Sequence, residues 1–150
     1  MKAFAFSLEA VLIVRAREEQ AAAEAWARAV REQTRAGQTL EAAKQALDAA
    51  QTALGQTRRE RIRPGDQTLY LHAIANQQAA CGQLADALRA AAQVTQARHT
   101  ALLQARMKRE VLARLKQKKM KEYQSAIQAM EEAAVDDLII VRYGTRRAGR

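Results

Sequence analysis

Arg61-Ile62-Arg63-Pro64-Gly65-Asp66 decides the fold, because it holds the only proline among 150 residues. On either side run two long segments rich in Ala, Gln, Leu, Arg and Glu, with no other strong breaker. Proline fixes φ and disfavours helix at the residue before it, Arg63. Gly65 allows a reversal that other residues resist. Asp66 is expected to cap the next helix, its carboxylate accepting free N–H groups of the first turn. The pattern predicts an all-α fold, an antiparallel two-helix coiled-coil hairpin. The expected parts are a first helix over about 8–62, a turn at 63–66, a second helix over about 66–135 and a tail at 136–150. All belong to one coiled-coil domain.

The composition agrees with long helices. Aromatics are only 4%, and the apolar share of 49% is inflated by alanine. Alanine is the strongest helix former, and Gln, Glu, Arg, Lys and Leu follow it. The core is therefore expected to be a thin seam. The formal net charge of +9 favours acidic partners: an acidic protein face, an anionic membrane surface or nucleic acid. Cys81 is the single cysteine, so no intramolecular disulfide forms and a reducing cytoplasm fits. The apolar N-terminal run is broken by Glu9 and ended by Arg15 and Arg17. It reads as neither a signal peptide nor a membrane span.

A short lead-in precedes the first helix. Ser7 is the expected N-cap, with Phe6 and Val11 placed to form a hydrophobic staple. From Leu8, alternating steps of four and three trace a seam through Leu12, Arg15, Glu19, Ala22, Trp26, Ala29, Gln33, Ala36, Leu40, Ala43, Leu47, Ala50 and Leu54. That spacing is what a left-handed coiled coil requires. Polar seam residues cost stability but can fix register. Trp26 reads as a packing anchor. The helix over 8–62 would be about 80 Å long at 1.5 Å per residue.

The second seam reads Tyr70 or Leu71, Ile74, Gln77, Cys81, Leu84, Leu88 and Ala91. It drifts through Thr95, Arg98, Leu102 and Ala105, then resumes at Leu112, Leu115, Tyr123, Ile127 and Met130. Cys81 is a small seam filler. Reversal near residue 64 puts Leu54 near Ile74, Leu40 near Leu88, and Leu8 near 113–121. The second helix then outruns the first.

The most basic stretch lies just before that overhang. Arg106, Lys108, Arg109, Arg114, Lys116, Lys118, Lys119 and Lys121 are offset only by Glu110, a net +7. Like charges one turn apart destabilise an isolated helix, so an acidic partner is the natural explanation. Further on, Asp136-Asp137 precedes Leu138 and the β-branched residues Ile139-Ile140-Val141, poorer helix formers.

Catalytic chemistry is not legible. There is no glycine-rich phosphate loop, no nucleophile motif and no His/Cys/Asp/Glu cluster at metal spacing. His72 and His99 stand far apart, and Ser7 and Ser125 are the only serines. A two-helix hairpin also has no cavity from which to exclude water. The chain reads as a non-enzyme without metal or cofactor.

The two ends resemble the flagellar type III export protein FliJ family. The N-terminal run is Phe4-Ala5-Phe6-Ser7-Leu8-Glu9-Ala10-Val11-Leu12, followed by Arg15 and Glu18-Glu19. The C-terminal part is Tyr123, Glu131-Glu132, Asp136-Asp137-Leu138 and Arg142. Asp137 stands where many relatives carry Glu, which keeps the charge. The resemblance spans nearly the whole chain, although its middle is common to any coiled coil.

The resemblance implies a coiled coil similar to part of the rotor stalk of rotary ATPases. Such a stalk inserts into the hexameric ring of the flagellar export ATPase, engages the export gate membrane protein and handles export chaperones. It implies a cytoplasmic protein, peripheral at the inner membrane of the flagellar base. The basic stretch 106–121 and the ends 1–20 would face the ATPase. Leu69, Tyr70, Leu71 and Ile74 would face the gate. The alternatives are a basic coiled coil on nucleic acid or a generic scaffold. Nucleic-acid binding would fall steeply with salt. The lack of stacking aromatics beside the basic run counts against it.

Overall fold

The computed structural model describes residues 3–59 and 63–147, with side chains up to residue 140. Two helices make up the fold: α1 at Glu9–Arg59, 51 residues, and α2 at Pro64–Arg147, 84 residues. They pack against each other as an all-α, antiparallel pair. Residues 60–62, where the end of the first helix was expected, lie outside the described residues. The chain divides into two compact units. One is Glu19–Gln104, and the other joins Met1–Glu18 to Ala105–Arg150.

Both helix starts differ from expectation for reasons visible in the backbone. The carbonyl of Arg63 accepts the N–H groups of Asp66 at 3.0 Å and Gln67 at 3.3 Å. Arg63 is therefore the cap, and Pro64 fills the first helical position, where its missing N–H costs nothing. Asp66 is inside the first turn, where its charge still faces the positive helix end. At the other start, Leu12 donates to the carbonyl of Leu8 at 2.9 Å and Glu9 to that of Phe6 at 3.1 Å. The cap position thus falls on Leu8 rather than Ser7. Val11 is exposed, so the expected staple with Phe6 does not shield it.

Glu19–Gln104 contains the core. Leu40, Leu54 and Ile74 are 7%, 6% and 9% exposed, and they are the buried apolar residues of the described chain. Each such burial contributes about 1.5–3 kcal/mol. On α1 every expected seam position from Glu19 to Leu54 is at least half-buried. On α2 the protected row is Ile74, Cys81, Leu84, Leu88, Ala91, Thr95, His99 and Leu102. Tyr70, Leu71, Gln77 and Arg98 are exposed instead. Ala91, Thr95 and His99 follow one another in steps of four, so the row leaves the strict heptad and passes to His99. Thr95 donates its hydroxyl to the carbonyl of Ala91 at 3.0 Å, which satisfies it within its own helix. Trp26 lies on His99 with ring centroids 5.6 Å apart. A Cβ on Gly37 would sit 3.9 Å from Leu88 Cδ1. Both pairs have residue numbers summing to 125, which fixes the antiparallel register.

The unit of the two chain ends keeps a similar register. Phe4 meets Tyr123 at 5.6 Å between centroids, and Lys116 Nζ lies 2.7 Å from a Glu9 carboxylate oxygen. α1 begins at Glu9, opposite Lys116, and the lead-in residue Phe4 reaches Tyr123. Every residue from Gln128 to Ile140 is exposed, including Met130, an expected seam residue. α2 nevertheless continues through the β-branched run to Arg147, where a tail was expected. Residues 129–134 contain Ala129, Glu131, Glu132, Ala133 and Ala134, strong helix formers that carry the helix into that run.

Candidate functional site

The eight cations of the basic stretch separate by direction. Arg109 and Lys116 are half-buried, whereas Arg106, Lys108, Arg114, Lys118, Lys119 and Lys121 are exposed. Direction follows from the seam. Lys116 recurs with Leu112, Met120 and Tyr123 on the face toward α1, so its ammonium reaches Glu9 on the opposite helix. The side chains of this pair are 35% and 46% exposed, so solvent screening limits it to about 0.5–1 kcal/mol. It nonetheless ties the start of α1 to the middle of the basic stretch.

The exposed cations are partly offset along their own helix. Glu110 is shared, 3.2 Å from Arg106 and 3.7 Å from Arg114. Lys119 Nζ donates to Glu122 at 2.9 Å. That hydrogen bond, helped by the charges of Lys119 and Lys118, outweighs the opposing desolvation and holds the Glu122 carboxyl below its ordinary range. One anion shared between two arginines leaves the stretch strongly positive.

Large apolar side chains crowd the same unit. Of the seventeen exposed ones among the described residues, eleven belong to the unit of the two chain ends. Leu8 caps α1, and Val11, Ile13 and Val14 lie on it. Met107, Val111, Met130, Val135, Leu138, Ile139 and Ile140 lie on α2. That unit has none of the three buried core residues. Its surface is therefore both positive and apolar, a combination suited to binding rather than to hydration alone.

The expected gate residues divide. Leu69 is 70% exposed, and Tyr70 and Leu71 are exposed beside it. Ile74 is buried in the seam, where substitution would disturb helix pairing. The seam residues Leu12, Trp26, Leu47, Leu84 and Leu88 are half-buried, and Leu40 and Leu54 are buried.

No enclosed cavity accompanies these surfaces among the sites described. A hollow of about 580 Å³ is lined by Gln128, Glu131, Glu132, Val135 and Asp136, all from α2. One helix cannot close a pocket by itself. Among the described residues no group of three or more His, Cys, Asp or Glu could hold a metal, and no helix is long and apolar enough to cross a membrane.

Sequence reasoning missed the Glu9–Lys116 pair and the Trp26–His99 contact. The expected register, with Leu54 near Ile74 and Leu40 near Leu88, sets residue 9 opposite 119 and residue 26 opposite 102, whereas the folded chain pairs Glu9 with Lys116 and Trp26 with His99, a shift of three residues.

A family model for the flagellar FliJ protein matches residues 4–148, essentially the whole chain. No curated protein and no solved structure matches it.

Proposed function

Because the chain belongs to the FliJ family of flagellar proteins, and so to the components of flagellar protein export, we propose that it works as the stalk that links the export ATPase to the export gate. The family is one of non-enzymatic export components that interact with the export machinery. On our reading, the unit of the two chain ends enters the ATPase ring, promotes its assembly and activity, and presents Arg106, Lys108, Arg114, Lys118, Lys119 and Lys121 to acidic lining residues. Arg109 and Lys116, turned toward α1, position the helices there. Leu69, Tyr70 and Leu71 contact the cytoplasmic part of the gate, and Ile74 supports them from the seam. Export chaperones are further partners. The protein works in the cytoplasm, against the inner membrane at the flagellar base.

One observation carries this reading. Among its described residues the unit of the two chain ends has no buried apolar side chain, yet it holds most of the exposed large ones and the net +7 stretch. Such a surface gains by being covered.

The test is turnover of the cognate export ATPase with and without the purified chain. Stimulation is expected, and Arg114→Glu, Lys118→Glu and Lys119→Glu together should abolish it. Unchanged stimulation by that variant would reject the ring contact. Lys116 is left out of the variant because its loss would also break the pair with Glu9.

A further inference from the structure

The row of α2 that faces α1 does not stop where α1 stops. It passes through Leu112, Lys116, Met120, Tyr123 and Ile127, and the same steps lead on to Met130, Ala134 and Leu138. Those three are exposed. Glu131 flanks this row on one side and Asp137 on the other, with Glu132 and Asp136 further round the helix. Residues 128–140 carry these four acids and no Lys or Arg. Charges flanking a coiled-coil row select the partner. A helix face that complements this one therefore combines apolar and basic side chains.

α2 presents such a face itself, on the side away from the seam. Met107, Val111, Arg114, Lys118 and Lys121 follow in steps of four and three, so they share one face. Met107 and Val111 are 62% and 66% exposed, close to the 63% and 68% of Met130 and Leu138. The acidic apolar row and the basic apolar row each span about 20 Å. They lie on one continuous helix, with Arg114 and Glu132 about 27 Å apart along it. They cannot meet within one chain, so the complement must come from another molecule.

We propose that the chain self-associates head to tail, the 128–140 face of one copy docking on the Met107–Lys121 face of a second. The contact joins unlike surfaces, so each added copy leaves one of each face open and assembly can continue. Two short helix faces form a small interface, weak and sensitive to salt. The inference does not depend on the stalk reading, because it concerns the isolated chain. If both hold, an acidic partner on Arg114, Lys118 and Lys121 dissolves the self-association.

Sedimentation velocity of the full chain, over a concentration series at low and high salt, tests this. The sedimentation coefficient should rise with concentration at low salt and return to the monomer value at high salt. A variant carrying Arg114→Glu, Lys118→Glu and Lys121→Glu should associate at least tenfold more weakly. So should one carrying Glu131→Lys, Glu132→Lys, Asp136→Lys and Asp137→Lys. Mixing the two, each shown helical by circular dichroism, should restore association, since each now complements the other. A wild-type chain that stays monomeric overturns the proposal, as does association indifferent to salt or a mixture of helical variants that stays apart. Binding of the basic face to vesicles of anionic phospholipid, without self-association, would assign that face to a lipid surface instead.

Discussion

At the scale of single residues, geometry decides what a charge does. Glu122 and Lys119 are neighbours on α2, and the hydrogen bond between them favours the ionised carboxyl. A folded-state value below the unfolded one means the pair supports the helix at neutral pH. That support is lost as pH falls through the lowered value. Both groups are exposed, so the effect on total stability is small, but the titration itself is readable. Lys119→Gln should raise the Glu122 midpoint toward the ordinary carboxylate range, followed by carboxyl NMR shifts against pH. An unmoved midpoint would remove Lys119 as the cause. Single residues were also the least legible feature of the sequence. Asp66 was expected to cap α2, yet Arg63 does so through its backbone carbonyl, which any residue type supplies. Arg98 was placed on the seam, and one consistent four-residue step puts His99 there instead.

At the scale of elements, α1 was almost wholly legible and α2 less so. From Leu12 to Leu54 the first seam keeps one phase, so counting alone finds it. α2 shifts phase at Thr95–His99 and again at Lys116–Met120, where two steps of four follow each other. A run of three, four and four repeats after eleven residues, nearer the natural turn of an α-helix than the heptad. Strict heptad counting therefore drifts, even though the helix is continuous. Glycines inside the two helices, Gly37 and Gly55 on α1 and Gly82 on α2, offer a direct check on helix continuity. A Cβ at Gly55 or Gly82 meets nothing within 4 Å, and one at Gly37 meets only ordinary contact. Replacing each by alanine should stabilise the protein by about 0.5–1 kcal/mol, through the cost glycine imposes inside a helix. Thermal denaturation of the three single variants measures this, and a lowered midpoint at Gly55 or Gly82 would mean that helix is interrupted there.

At the scale of the molecule, protection is unevenly shared between the two units. Leu40, Leu54 and Ile74 all lie in Glu19–Gln104, and the unit of the two chain ends has no counterpart among its described residues. Amide exchange should therefore be slowest around residues 40–54 and 74–91 and fastest over 3–18 and 128–140, spanning several kcal/mol of opening free energy. Uniform protection along the chain would contradict that division. The hairpin itself was legible from a single Pro-Gly dipeptide, and the family from the N-terminal run. The proposed binding surface was legible only as a count of charges. Which cations turn outward depends on register, and register depends on pairs such as Glu9 with Lys116 that only the folded chain brings together.

The scarcity of hidden side chains has a thermal consequence. The heat capacity of unfolding comes mainly from newly wetted apolar surface, and a chain that conceals so little has little to release. Its curve of stability against temperature should be shallow, with a broad melting transition and only gradual loss of structure on either side of the optimum.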